Sequence, residues 1–247
     1  MSDLFGKDEA AGRIARVIDF ETTGTEDDEF AEVIELGRID LDLSTETIGN
    51  AWTALAKPKG EIPVETKAVH HITEAHVADA EPLVSLWGKF FEGCGESDVL
   101  AAHNAKFEKH FHPGNGRAWI CTYKCALVVW PEAPRHNNQA LRYWLNLDAE
   151  PDFDPALAEP PHRALPDAYV TARILRRLVR EKPVNELIKI SKYPALLHRI
   201  NFGTKAKGQL YSEAPADYLD WIAYKSDLNE DVKFTAKYWL KKRGMAR

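Results

Sequence analysis

Cysteine, methionine and uninterrupted apolar stretches are all scarce in this chain of 247 residues. Three cysteines, Cys94, Cys121 and Cys125, are too few and too odd in number for a disulfide framework, so a reducing, cytoplasmic setting is expected. Cys121 and Cys125 have no second pair at zinc-ligand spacing and read as small buried apolar residues. No apolar run nears the roughly 18 residues that a bilayer-spanning helix needs, so no membrane partner is expected. The first dozen residues, with Asp3, Lys7, Asp8 and Glu9, lack the apolar segment of a secretory signal, and residues 1–12 are expected to be a flexible leader. A phosphate loop is missing as well. Gly203 and Gly208 stand at its spacing, but Gln209 and Leu210 follow where lysine and a hydroxyl residue are required, so no nucleotide cofactor is expected.

What remains is an ordinary globular composition, 45% hydrophobic and 28% charged, in a chain long enough for one domain with an appendage or for two small domains. The net charge of −6 conceals an asymmetry: residues 183–247 carry 12 Lys/Arg against 7 Asp/Glu, which leaves 20 against 31 in the remainder. An acidic body with a basic C-terminal part makes nucleic acid a candidate partner of that part, weighed evenly against a solvated basic surface.

The stretch Val17-Ile18-Asp19-Phe20-Glu21-Thr22-Thr23-Gly24 carries the first chemical signal. On a β-strand, residues two apart share a face, so Asp19 and Glu21 would stand side by side. Adjacent carboxylates repel unless a positive group lies between them, and a hard divalent cation is the usual solution. The alternative is a strand end that dissolves in water, and the pair alone does not decide between them.

Alternation over Ala31–Asp42 and Thr47–Ala56 predicts a second and third strand, with short connections that suggest an antiparallel meander. Val64–His70 reads as a short helix, and Glu81–Phe91, with Leu83, Leu86, Trp87 and Phe90 at helical spacing, as an amphipathic one. Asp98–Ala102 and Arg117–Cys121 read as strands, each leading into a helix (Asn104–Phe111, and a segment through Trp130). Gln139–Leu147 predicts a further helix. The segment from Glu150, with Pro151, Pro155, Pro160 and Pro161, must be a loop. Pro166–Arg180 is the strongest helix, with Pro166 suited to its first turn. The order predicts an α/β fold, a mixed sheet flanked by helices, with a second domain beginning near Pro183.

Two further clusters contain acids. In His103-Asn104-Ala105-Lys106-Phe107-Glu108 a polar pair ends a strand and Glu108 follows one turn into a helix. In His162-Arg163-Ala164-Leu165-Pro166-Asp167 a histidine precedes an acid by five residues. On one helix they would lie about 140° apart, so cooperation requires His162 to sit in the loop, where it can take and release a proton. Singly, each has an ordinary explanation: an Asp favoured by the helix dipole, an exposed loop histidine, a solvated glutamate.

In order, D-x-E-T-T-G, H-N-A-x-F-acid and H-x-x-x-x-D resemble the three exonuclease motifs of the DnaQ-like (DEDDh) family. The segment from Ala68 to Thr73 is similar to the family's H-G-I-T, with His71 where glycine is common. The resemblance extends over nearly the whole chain from about Arg13. It implies an RNase H-like exonuclease domain over residues 13–182, followed by a small α-rich C-terminal domain, residues 183–247, whose basic charge makes it the candidate DNA-binding part. It further implies removal of 5′-mononucleotides from 3′ ends with two divalent metals, Mg²⁺ or Mn²⁺. Asp19, Glu21 and Asp167 would hold one metal, Asp19 would also touch the second, Glu108 would act nearby through water, and His162 would be the general base. Thr22 and Thr23 would meet the terminal 3′-hydroxyl, Ile72 the terminal base and Asn104 the phosphate, while His70 either approaches the substrate or is packed. Glu108 departs from the family's usual Asp by one methylene. The C-terminal resemblance favours DNA 3′ ends, single-stranded or duplex, over RNA as substrate. A catalytically silent binding module would lack an acid or the histidine, and none is missing.

Overall fold

The computed structural model describes residues 13–245, so the leader expected over residues 1–12 lies outside the described residues. Three strands, β1 (Ile14–Thr22), β2 (Val33–Asp42) and β3 (Ile48–Lys57), form the antiparallel meander. β5 (Val99–Ala102) and β6 (Ala118–Cys121) add in parallel beside β1, and the two-residue β4 (Glu81–Pro82) pairs with the far side of β3. The sheet order is β4-β3-β2-β1-β5-β6. Glu81 and Pro82 were expected in a helix. Pro82 is instead extended (φ −60°, ψ 141°), and the residue before a proline avoids the helical region, so α3 starts at Leu83 and runs to Phe90. A left-handed Asn104 (φ 72°) likewise delays α4 to Lys106–Phe111.

The alternation along β1 assigns the two faces. Ala15 and Val17 point to a core shared with α5 (Thr122–Val129), α6 (Asn138–Trp144) and α7 (Ala164–Glu181), while Ile18 and Phe20 point to a second core with α3. α7 crosses β1 and β2 and anchors itself with Ile174, Leu175 and Leu178, all fully buried. Each such side chain contributes about 1.5–3 kcal/mol of burial, enough to fix where the helix begins. On the α3 face, fully buried Arg16 is satisfied by Asp40 (2.8 and 2.9 Å) and by the Phe90 carbonyl (2.8 Å). The three cysteines are free and buried, and burial pushes the Cys125 thiol up to about 12.

After α7, α8 (Val184–Lys192) still belongs to the main core, through Leu187 and Ile188. A separate apolar cluster begins at Ala195, beyond the boundary expected at Pro183, and includes Tyr211, Leu219 and Ile222 with α9 (Ala216–Tyr224) and α10 (Glu230–Lys242). Leu127 of α5 joins this cluster, which seats it against the body. Short helices α1 (Val64–His70) and α2 (Glu74–Val77) lie between β3 and β4.

Candidate active site

Asp19 and Glu21 have the same strand parity as Ala15 and Val17, so they continue the α7-facing row of β1 beyond its apolar part. The first turn of α7 supplies Asp167, whose amide donates to the Arg163 carbonyl (3.0 Å) as the helix begins. One carboxylate oxygen from each of Asp19, Glu21 and Asp167 lies within 4.8 Å of the others, the one such group of potential metal ligands among the described residues.

Their electrostatics are unfavourable as they stand. Burial, then Asp167, Glu21, Glu108 and Glu35, raise the Asp19 pKa well above the usual carboxylate range. Burial and the charges of Asp167 and Glu35 push Glu21 up to about 8, with Arg163 opposing. Burial also raises Asp167, against its hydrogen bonds from the His162 amide (3.1 Å) and the Gln139 side chain (3.4 Å). Such a set keeps its protons or gathers cations. The ligands are all oxygen, the donor type of hard divalent ions, so the residues fit a divalent metal.

Glu108 stands outside the closest trio, yet it is within electrostatic reach of Asp19. It is 2% exposed and its Oε2 has no hydrogen-bond partner. Burial raises its pKa, and Glu26 and Glu21 add to the rise. A buried carboxylate oxygen with nothing to accept from is the polar vacancy that a cation or its water fills. His162 lies outside the helix, as the spacing required: it is exposed, left-handed (φ 60°), and immediately precedes the α7 cap residue Arg163. Asn104 is exposed on the β5–α4 turn.

The other residues expected to meet the substrate, Thr22, Thr23, Ile72 and His70, are buried. The Thr22 hydroxyl donates to the Gly24 carbonyl, and that of Thr23 accepts from the Glu32 amide (2.8 Å). Ile72, expected against a base, is packed with Ile34, Ile62 and Val77 and is only 2% exposed, because the α1–α2 turn folds it under β2. His70 takes the packed alternative: its Nδ1 accepts from the Ile72 amide (2.9 Å), its ring interacts with the Thr22 backbone, and burial lowers its pKa.

Several site-building residues escaped the sequence reading. Gly37 pairs with Asp19 across β1–β2, and Glu35 with Glu21. Glu35 accepts from the Arg163 guanidinium and, through Oε2, from the Ala164 amide (3.0 Å), tying the start of α7 to β2. Asn138 Nδ2 donates to the Asp167 carbonyl (3.1 Å) and the Thr171 hydroxyl (2.7 Å). A glycine inside a strand is the one of these signals that a single sequence carries, since it often marks close approach of another backbone.

A fold and a site of this kind define a class, and the chain belongs to it: the exonuclease family model RNase_T matches residues 17–175, which contain every acid described above and His162. The protein is an exonuclease hydrolase of the DnaQ-like (DEDDh) type with an RNase H-like fold. Exodeoxyribonuclease 10 of Escherichia coli (strain K12) is 29% identical over 231 residues, 91% of this chain and 98% of that protein. A solved structure of exonuclease X in complex with 5′-overhanging duplex DNA is 29% identical, with a TM-score of 0.60 over 72% of this chain and 99% of that one. The nuclease domain of 3′hExo, a DEDDh family member bound to rAMP, shares the fold at 19% identity, with a TM-score of 0.53 over 74% of this chain and 96% of that one.

Proposed function

We propose that the protein is a 3′→5′ exodeoxyribonuclease that releases 5′-mononucleotides from DNA ends, with divalent Mg²⁺ or Mn²⁺ ions at its carboxylates. The observation that carries this reading is the buried trio of Asp19, Glu21 and Asp167, with Glu108 close behind it. Two bound cations would lower the pKa of the attacking water and stabilise charge on the departing 3′-oxygen. Asp19, Glu21 and Asp167 would hold the cations, and Glu108 would orient water from the α4 side. His162, exposed in its loop, accepts the proton of the attacking water, a role its place outside the helix leaves it free to fill. Asn104 and the backbone at Thr22 and Thr23 position the terminal nucleotide. The DNA preference draws on the similarity to Escherichia coli exodeoxyribonuclease 10 and to the DNA complex of exonuclease X.

The C-terminal part, residues 183–247, is assigned to holding the DNA, on its excess of basic residues. The test of the substrate reading compares single-stranded DNA, duplex DNA and RNA of one sequence. Faster mononucleotide release from DNA supports it, and exclusive action on RNA replaces it with an RNA 3′-exonuclease.

A further inference from the structure

A groove of about 720 Å³ runs between the body and the C-terminal cluster, remote in sequence from the catalytic motifs. The body wall is the segment from Pro131 to Asn137, and the opposite wall is the turn that includes Arg199 and Lys207. Both walls are held in place. His103 Nε2 and the His136 carbonyl are 2.8 Å apart, and His136 Nε2 and the Trp130 carbonyl also 2.8 Å apart, which fixes the body side. The opposite turn is closed by the Ile200 amide on the Gln209 carbonyl (2.9 Å) and the Gly208 amide on the Ile200 carbonyl (2.7 Å). Arg199 Nη1 donates to the Gly208 carbonyl (2.8 Å), which sets its guanidinium beside Lys207.

The charge of the groove is predominantly positive. Arg135, Arg199 and Lys207 are exposed along it, and Glu132 is the single carboxylate among the residues that line it. Among the described residues, no ion pair engages Arg135 or Lys207, whereas Arg173, Arg176, Arg177 and Arg180 of α7, which border other clefts, are paired with Glu150, Asp152 or Glu46. Unpaired cations on two facing walls suit a polyanion. The floor includes Tyr123, whose ring lies 5.8 Å from that of His103, the neighbour of Asn104. At its other end the body wall runs directly into Asn138 and Gln139, which touch Asp167. The groove thus borders, through Tyr123 and Asn137, on residues adjacent to Asn104 and in contact with Asp167.

We propose that this groove carries the phosphodiester backbone of the strand whose 3′ end lies among Asp19, Glu21 and Asp167, with Arg135 on one wall and Arg199 and Lys207 on the other neutralising its phosphates. The assignment rests on the reading of the chain as a DNA 3′-exonuclease and adds a path for the strand behind the scissile nucleotide. It also gives the C-terminal unit a specific role, which is to supply one wall of a channel whose other wall belongs to the nuclease body. Long strands fill the groove and short ones do not, so affinity grows with strand length.

The test is a binding measurement, kept separate from hydrolysis. Fluorescence anisotropy with Mg²⁺ follows a long single-stranded oligodeoxynucleotide and a trinucleotide, both protected by 3′-terminal phosphorothioate linkages. The expected result is that the wild-type protein prefers the long strand at least about tenfold, and that the R135Q/K207Q double variant loses most of that preference. The salt slope for the long strand should fall by about 1.4, two single-strand phosphate contacts at about 0.7 each. The charge-conserving R135K/K207R variant should keep the wild-type preference, which separates charge from fold. Equal binding of long and short strands by the wild type, or an unchanged preference in R135Q/K207Q, overturns the proposal. If no 3′ release is seen in nuclease assays while R135Q/K207Q still loses long-strand binding, the functional reading fails and the groove stands only as a site for a DNA backbone, with no 3′ end at the carboxylates.

Discussion

The Cα of Gly37 lies so close to the peptide joining Ala164 to Leu165 that a β-carbon at residue 37 would sit 2.2 Å from the Ala164 carbonyl carbon. Gly37 is also the cross-strand partner of Asp19. The missing side chain is therefore what lets the first turn of α7 descend onto β2 and bring Asp167 to Asp19. Gly37→Ala should push that turn away from the sheet. A misplacement of about 1 Å can cost about a hundredfold in rate, and overpacking costs about 1–3 kcal/mol. Steady-state nuclease rates and urea unfolding of the variant should show both losses; a variant with wild-type rates would remove Gly37 from the account.

The carboxylates link pH to metal. A carboxyl whose folded pKa lies above its unfolded value binds more protons when folded, so stability falls as pH rises between the two values. For Glu21 that interval runs from 4.5 to about 8, and Asp19, Asp167 and Glu108 shift in the same direction. Four histidines with lowered pKa values (His70, His103, His112 and His136) act in the opposite sense below 6.5, so in EDTA the melting temperature should decrease in the upper part of this interval, from about pH 6.5 to about pH 8. Mg²⁺ should raise it most near pH 8, where the carboxylates lose their protons, with stabilisation that depends on ion concentration. A Mg²⁺ effect of equal size at pH 5 and pH 8 contradicts the site.

Asp19 and His162 should respond differently to substitution in stability, though not in activity. Asp19→Asn removes a buried charge that its neighbours oppose, so the metal-free protein should melt no lower than wild type while its nuclease rate collapses. His162 is exposed, so His162→Ala should leave unfolding unchanged and lower the rate by about 10²–10⁴. Calorimetry beside an initial-rate assay separates the two. A His162→Ala variant with full activity would exclude the histidine as general base.

Arg163 braces the same corner. Its guanidinium and the Ala164 amide together satisfy Glu35, whose side chain is only 4% exposed. Arg163→Ala leaves that carboxylate short of partners at a cost of about 1–3 kcal/mol. It also removes the one positive charge that lowers the Glu21 pKa among its named neighbours, so the apparent metal affinity of the variant should fall more steeply as pH decreases. Unfolding and Mg²⁺ titration at two pH values check both effects.

The sequence made legible what depends on short-range pattern. Strand alternation placed Asp19 and Glu21 on one face, and Pro166 placed the start of α7 near enough to keep His162 outside it. The order of the three acid-bearing motifs selected the family. What stayed hidden depends on register and on close approach: that Gly37 faces Asp19, that Glu35 faces Glu21, and that Asn138 and Gln139 reach Asp167 from another helix. None of these pairs is near in sequence, and a single chain gives no sign of strand offset beyond the glycine itself. The burial of Ile72 was hidden for a related reason: it is set by packing against Ile34 of β2 and Ile62, and only the fold selects the packed alternative for His70.

End-labelled DNA decides whether the protein removes nucleotides from the 3′ end in a metal-dependent reaction. One strand is labelled at its 5′ end and a second at its 3′ end, and both are followed in Mg²⁺ and in EDTA. The 3′ label should be released at once as a mononucleotide and the 5′-labelled strand should shorten stepwise, in Mg²⁺ only. Release of the 5′ label first, internal cuts, or equal activity in EDTA would rule out a metal-dependent 3′→5′ exonuclease.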